Sequence, residues 1–92
     1  MRFSFDVNKE DLLENSKKFR VLGNPIRLRI LFILNESPAY LDQIHIRLKK
    51  EDLFLYREST YKSLERLVET GFVNKSYDPK TKKMIYSLIK KN

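Results

Sequence analysis

Apolar residues keep a helical rhythm along this chain as far as Gly71 and an alternating one after it. Between Lys9 and Leu22, Leu12, Leu13, Phe19 and Leu22 recur at roughly helical spacing, with Asn8 as a cap and Gly23 as a stop. Asn24-Pro25 then announces a second helix. The asparagine side chain can accept an orphan backbone N–H, and proline loses nothing at the first helical position. This helix, Pro25 to Asn35, is apolar nearly all round (Ile26, Leu28, Ile30, Leu31, Phe32, Ile33, Leu34), which predicts central burial or a face shared with a second subunit. Ser37-Pro38 breaks the chain. A third helix is predicted from about Tyr40 to Lys49, with Leu41, Ile44 and Leu48 on one face and Asp42 near its positive end. Residues 49–57 fit either a continuation of that helix or a short extended segment.

A fourth helix is predicted from Ser59 to Thr70, stopped by Gly71. Tyr61, Leu64, Leu67 and Val68 form its packed stripe, while Ser59, Lys62, Ser63, Arg66 and Thr70 cover the other side. Beyond Gly71 the period becomes two. Residues 72–77 and 82–89 read as the strands of a β-hairpin joined through Asp78-Pro79-Lys80-Thr81, with Lys80, Lys82 and Lys83 at or beside its tip. Near the N-terminus Phe3, Phe5 and Val7 alternate as in a strand, to be packed on their own domain or across a second subunit. The predicted fold class is α+β and mostly helical: a winged helix-turn-helix of about four helices followed by a two-stranded hairpin.

The 92 residues suffice for one domain, 1–92, and 41% hydrophobic content is ordinary for a globular one. No apolar run is long enough to span a bilayer, and the N-terminus lacks a signal-peptide pattern, so the expected location is the cytoplasm, away from membranes. Charge changes the picture more. Of the net +7, residues 57–71 contribute nothing, whereas residues 72–92 hold six lysines against Asp78 alone. A localised cationic patch suits a polyanionic partner. Enzyme chemistry has little to stand on. There is no cysteine. His45 has no ligand at metal-binding spacing, Glu10-Asp11 and Glu51-Asp52 point apart on a helix, and no phosphate-cradling glycine loop or nucleophile motif occurs. Neither a metal nor another cofactor is expected.

At this point two blocks carry a resemblance. FRVLGNPIRLRILFIL at 19–34 and ESTYKSLERLVETGFVNKSYDPKTKKMIYSLI at 58–89 resemble winged helix-turn-helix transcriptional regulators. The first is similar to the ArsR type, and the second to both ArsR and PadR regulators, the longer stretch between Leu48 and Ser59 being closer to PadR. The resemblance implies a recognition helix presenting Ser59, Thr60, Lys62, Ser63 and Arg66 to a DNA major groove, with the helix at residues 40–49 as its upstream partner. It likewise implies Lys80, Lys82 and Lys83 on the backbone or minor groove. The chain lacks the paired cysteines of metal-sensing ArsR proteins. It also ends soon after the hairpin, without the C-terminal helix many relatives use to dimerise. A homodimer through the N-terminal segment and first helix is therefore expected, with its recognition helices about one DNA turn, ~34 Å, apart.

Simpler roles compete at each position. Lys62 and Arg66 have Glu58 and Glu69 at i,i+4 and i,i+3 spacing, and the hairpin lysines resemble the charges that guard exposed strand edges. Arg27 and Arg29 are read as structural, Tyr61 as core and His45 as structural or superficial. The expected function is sequence-specific recognition of double-stranded DNA by a transcriptional regulator. The alternative is a winged-helix protein-interaction module, which would have no need of the basic C-terminal stretch.

Overall fold

The computed structural model describes residues 20–53 and 56–89. Helical residues 20–22 close the first predicted helix; the rest of that helix and the alternating segment before it lie outside the described residues. The second predicted helix forms as α1 (Pro25–Glu36), and its cap works as anticipated. Asn24 Oδ1 accepts from Ile26 N at 2.9 Å and from Arg27 N at 3.1 Å, with Pro25 beside it at the first helical position. The apolar run resolves into two stripes. Ile30, Ile33 and Leu34 are buried in the core, while Leu28 and Phe32, on the opposite side, remain 39% and 59% exposed.

A two-residue strand, β1 (Ala39–Tyr40), leads into α2 (Leu41–Lys50), then α3 (Arg57–Glu69), β2 (Val73–Asp78) and β3 (Lys83–Leu88). All three strands form one antiparallel sheet in the order β1-β3-β2. The hairpin is thus wider than the two-stranded wing expected. Ala39 pairs with Tyr86 and Tyr40 with Ile85, through backbone groups that two residues after a proline cannot advertise as alternation. Of the stretch at 49–57, Lys49 and Lys50 finish α2 and Arg57 opens α3, with no helix at residues 51–53. The chain leaves α2 through a turn at Glu51 and Asp52, the latter left-handed at φ 59°, and Leu53 folds back with its N–H on Leu48 O at 3.1 Å.

Ile30, Ile44, Leu48, Leu64, Leu67, Val73 and Tyr86 meet in one core beneath the sheet and helices. Burial of such side chains contributes roughly 1.5–3 kcal/mol each and sets the rotation of α2 and α3 about their axes. Gly71 stops α3 as expected. At φ 84° it takes the left-handed conformation that favours glycine, donating to Val68 O while Phe72 N reaches Leu67 O, the two bonds of a Schellman motif. Across the surface, Arg29 of α1 grips Glu51 through both carboxylate oxygens, and Arg47 of α2 pairs with Glu36. These exposed pairs add little stability but hold α1 and α2 in register. Arg29 therefore has the structural role read from the sequence, as does Arg27, whose Nε donates to Val21 O at 2.9 Å.

Candidate nucleic-acid interface

Helix α3 turns Thr60, Leu64 and Leu67 into the core, so its outward face carries Glu58, Lys62, Arg66 and Glu69. Ser59 and Ser63 lie half-buried along one flank of that face. Thr60 is the correction among the predicted contacts. It is fully buried (0% exposed), one turn before Leu64 on the packed face, and its hydroxyl lies 2.8 Å from His45 Nδ1. It has no surface to offer DNA. The same bond gives His45 its structural role. Tyr61 departs the other way: expected in the core, it is 41% exposed, with its hydroxyl donating to Glu65 Oε1 at 3.1 Å. The helix also starts two residues earlier than Ser59, which adds Arg57 to its first turn.

The basic groups of α3 are all engaged. Lys62 Nζ lies 3.4 Å from Glu58 Oε1, Arg66 Nη1 3.4 Å from Glu69 Oε2, and Arg57 Nε 2.7 Å from Asp42 Oδ1 on α2. The hairpin tip differs. Lys80, Lys82 and Lys83 are exposed, and none takes part in an ion pair among the described residues. Asp78 organises this turn, accepting from Lys80 N on its side chain at 3.0 Å and from Lys82 N on its carbonyl at 2.8 Å. Lys82 is itself left-handed, at φ 57°, where glycine or asparagine would be the easier residue.

Two polar ties fix the hairpin against the helices. Tyr40 Oη donates to Asp78 Oδ2 at 2.6 Å, joining the entrance of α2 to the turn. That hydroxyl, and then the Lys80 amide, hold the Asp78 carboxyl below the usual carboxylate range. Farther back along β2, Lys75 Nζ meets Glu65 Oε1 at 2.8 Å and lies 5.5 Å from the Tyr61 ring centroid and 5.9 Å from that of Tyr86. The Glu65 hydrogen bond raises the Lys75 pKa against the opposing effect of burial. Between these ties lies a cleft of about 400 Å³, lined by Asp42, Arg57, Tyr61, Lys75 and Lys83 among others.

Three groups near this face were not singled out in the sequence: Arg57, Tyr56 (85% exposed) just before α3, and Tyr77 (57% exposed) on β2. Tyr77 could have been found from strand alternation, because it shares the side of β2 that carries Val73 and Lys75. Among the described residues, no cluster of His, Cys, Asp or Glu could hold a metal ion, and no helix is long and apolar enough to cross a membrane.

Comparison with known proteins bears on the fold. No family model matches the chain, and no curated protein does either. Solved structures do. HlyU from Vibrio cholerae N16961 superposes with a TM-score of 0.72 at 20% identity, over 88% of this chain and 80% of that one. Rv0081 from Mycobacterium tuberculosis gives 0.70 at 27% identity, over 89% and 75%. Mb0332 from Mycobacterium bovis, a homodimeric winged helix-turn-helix DNA-binding domain and a possible ArsR-family transcriptional regulator, gives 0.76 at 18% identity, over 96% and 75%. In this chain α2 and α3 form the helix-turn-helix and the β2–β3 hairpin the wing: it has the winged helix-turn-helix fold that Mb0332 and the other similar structures share.

Proposed function

We propose that the chain is a sequence-specific, double-stranded DNA-binding transcriptional regulator acting as a homodimer in the cytoplasm. In this reading α3 enters the major groove, with Arg66, Lys62, Ser59 and Ser63 toward the bases, and Lys80, Lys82 and Lys83 of the wing lie against backbone phosphates. The observation that carries it is the uncompensated charge at the wing tip. Three exposed lysines stand together without carboxylate partners among the described residues, one of them in a backbone conformation that costs a lysine about 1 kcal/mol. The ArsR-type neighbours, including the homodimeric DNA-binding domain of Mb0332, support the same reading. Dimerisation is proposed through the N-terminal segment and first helix. The exposed Leu28–Phe32 stripe supports an additional partner surface on α1.

Fluorescence anisotropy with a labelled random duplex tests the reading, followed by selection of bound sites from a random library. Salt-sensitive binding at micromolar protein and a palindromic selected site are expected. Absence of binding at low salt would overturn the reading in favour of a protein-docking module.

A further inference from the structure

Arg57 stands in the first turn of α3, on the flank that faces Asp42 and the wing cleft rather than among the outward residues assigned to the bases, and its charge is withheld. Its Nε donates to Asp42 Oδ1 at 2.7 Å, although both side chains are largely open to water, 62% and 49% exposed. Asp42 lies in the first turn of α2 and lines the same cleft as Arg57, Lys75 and Lys83. It is the carboxylate among the residues lining that cleft, and in the DNA-binding reading a strand laid against the wing would pass Arg57 and Lys83 beside it. Its pKa is lowered, first by the Arg57 hydrogen bond and further by the charges of Arg57, Lys83 and His45, so the group is anionic at neutral pH.

We propose that Asp42 is a specificity-determining residue that substitutes for a backbone phosphate at Arg57, withholding this arginine from DNA of arbitrary sequence. The inference rests on the DNA-binding reading above. An exposed ion pair contributes little net stability, so it is weak enough to be exchanged for a phosphate. Exchange also requires the strand to come close, because screening removes the attraction beyond about 10 Å. On a matched site, base contacts by α3 draw the backbone in and Arg57 can trade Asp42 for phosphate. On random DNA the strand stays farther out and Arg57 remains with Asp42. The carboxylate thereby lowers non-specific affinity more than specific affinity.

The test compares Asp42→Asn, Asp42→Ala, Arg57→Gln and the double variant Asp42→Asn/Arg57→Gln, all confirmed as folded by thermal melting. Each is titrated against a random duplex and the selected site over a range of salt. Asp42→Asn should bind random duplex about fivefold more tightly, with a salt slope steeper by about one ion, and change the selected site less than about twofold. Asp42→Ala should move the same way. In the Arg57→Gln background the asparagine should have no more than about a twofold effect on random duplex, the part due to bulk charge alone. Unchanged random-duplex affinity in both Asp42 variants would overturn the proposal. So would a gain that persists undiminished without Arg57. If the parent itself fails to bind either duplex, the DNA-binding reading falls and takes this inference with it; the parent titration separates the two failures.

Discussion

The recognition helix and the wing tip each present three basic side chains, but among the described residues only those of the wing form no ion pair. Arg57, Lys62 and Arg66 of α3 each face a carboxylate within hydrogen-bonding or ion-pair distance, whereas Lys80, Lys82 and Lys83 have none among the described residues. Counting charges along the sequence treats these two sets alike. The structure separates them. A lysine already neutralised by a neighbour releases few counterions when it meets DNA, so the wing is the natural source of sequence-independent affinity. The helix, with its charges balanced, is left to discriminate through geometry and short-range hydrogen bonds.

The largest expected effect comes from stripping the wing. Replacing Lys80, Lys82 and Lys83 together with alanine should weaken binding about 30-fold at moderate salt, by a similar factor on matched and random duplexes. Anisotropy titrations would show it, and a loss confined to the matched site would invert the division of labour. Arg66→Ala should do the opposite. Random-duplex affinity should hardly move, while discrimination at one base pair should fall by about tenfold, within the usual range for a single base contact. Profiling single-base variants of the selected site reads this directly.

A smaller change separates the inner and outer faces of α3. Thr60→Val keeps the side-chain shape but leaves His45 Nδ1 without its partner, and should lower unfolding free energy by about 1 kcal/mol in a denaturant titration. DNA affinity of the folded protein should stay within about twofold of the parent; a larger drop would return Thr60 to the interface. The smallest effect concerns the tie between α2 and the wing. Asp78 has a depressed folded-state pKa, so its contribution to wing order is present above the ordinary carboxylate pKa and is lost as pH falls through the depressed value. In Tyr40→Phe, lacking the principal cause of the depression, the Lys80 amide NMR signal should shift at a higher pH than in the parent. Coincident titrations would show that the hydroxyl does not hold the carboxylate.

Much of this architecture was legible in the sequence because local physics wrote it there. Asn24-Pro25 fixed the start of α1, Gly71 the end of α3, and the change from helical to alternating spacing the wing. What was hidden depended on partners distant in the chain. Strand β1 exists because Ala39 and Tyr40 meet β3 more than forty residues later, which two residues cannot signal. Thr60 looked like a polar surface residue until His45, fifteen residues earlier, supplied a buried partner. Arg57 precedes the predicted helix start, and its pairing with Asp42 spans the turn whose conformation the pattern left open. The basic wing could be located by composition. Its being the uncompensated part could not, because pairing is a property of the fold.

The central claim, that the wing rather than the recognition helix supplies phosphate affinity, is most directly tested by the salt dependence of binding to random duplex. Affinity would be measured for the parent and for the wing variant lacking Lys80, Lys82 and Lys83, from about 50 to 200 mM salt. The slope of log affinity against log salt should become shallower by roughly two to three in the wing variant, about 0.9 for each phosphate that is no longer neutralised. An unchanged slope would contradict the account and return the phosphate-binding role to the helix.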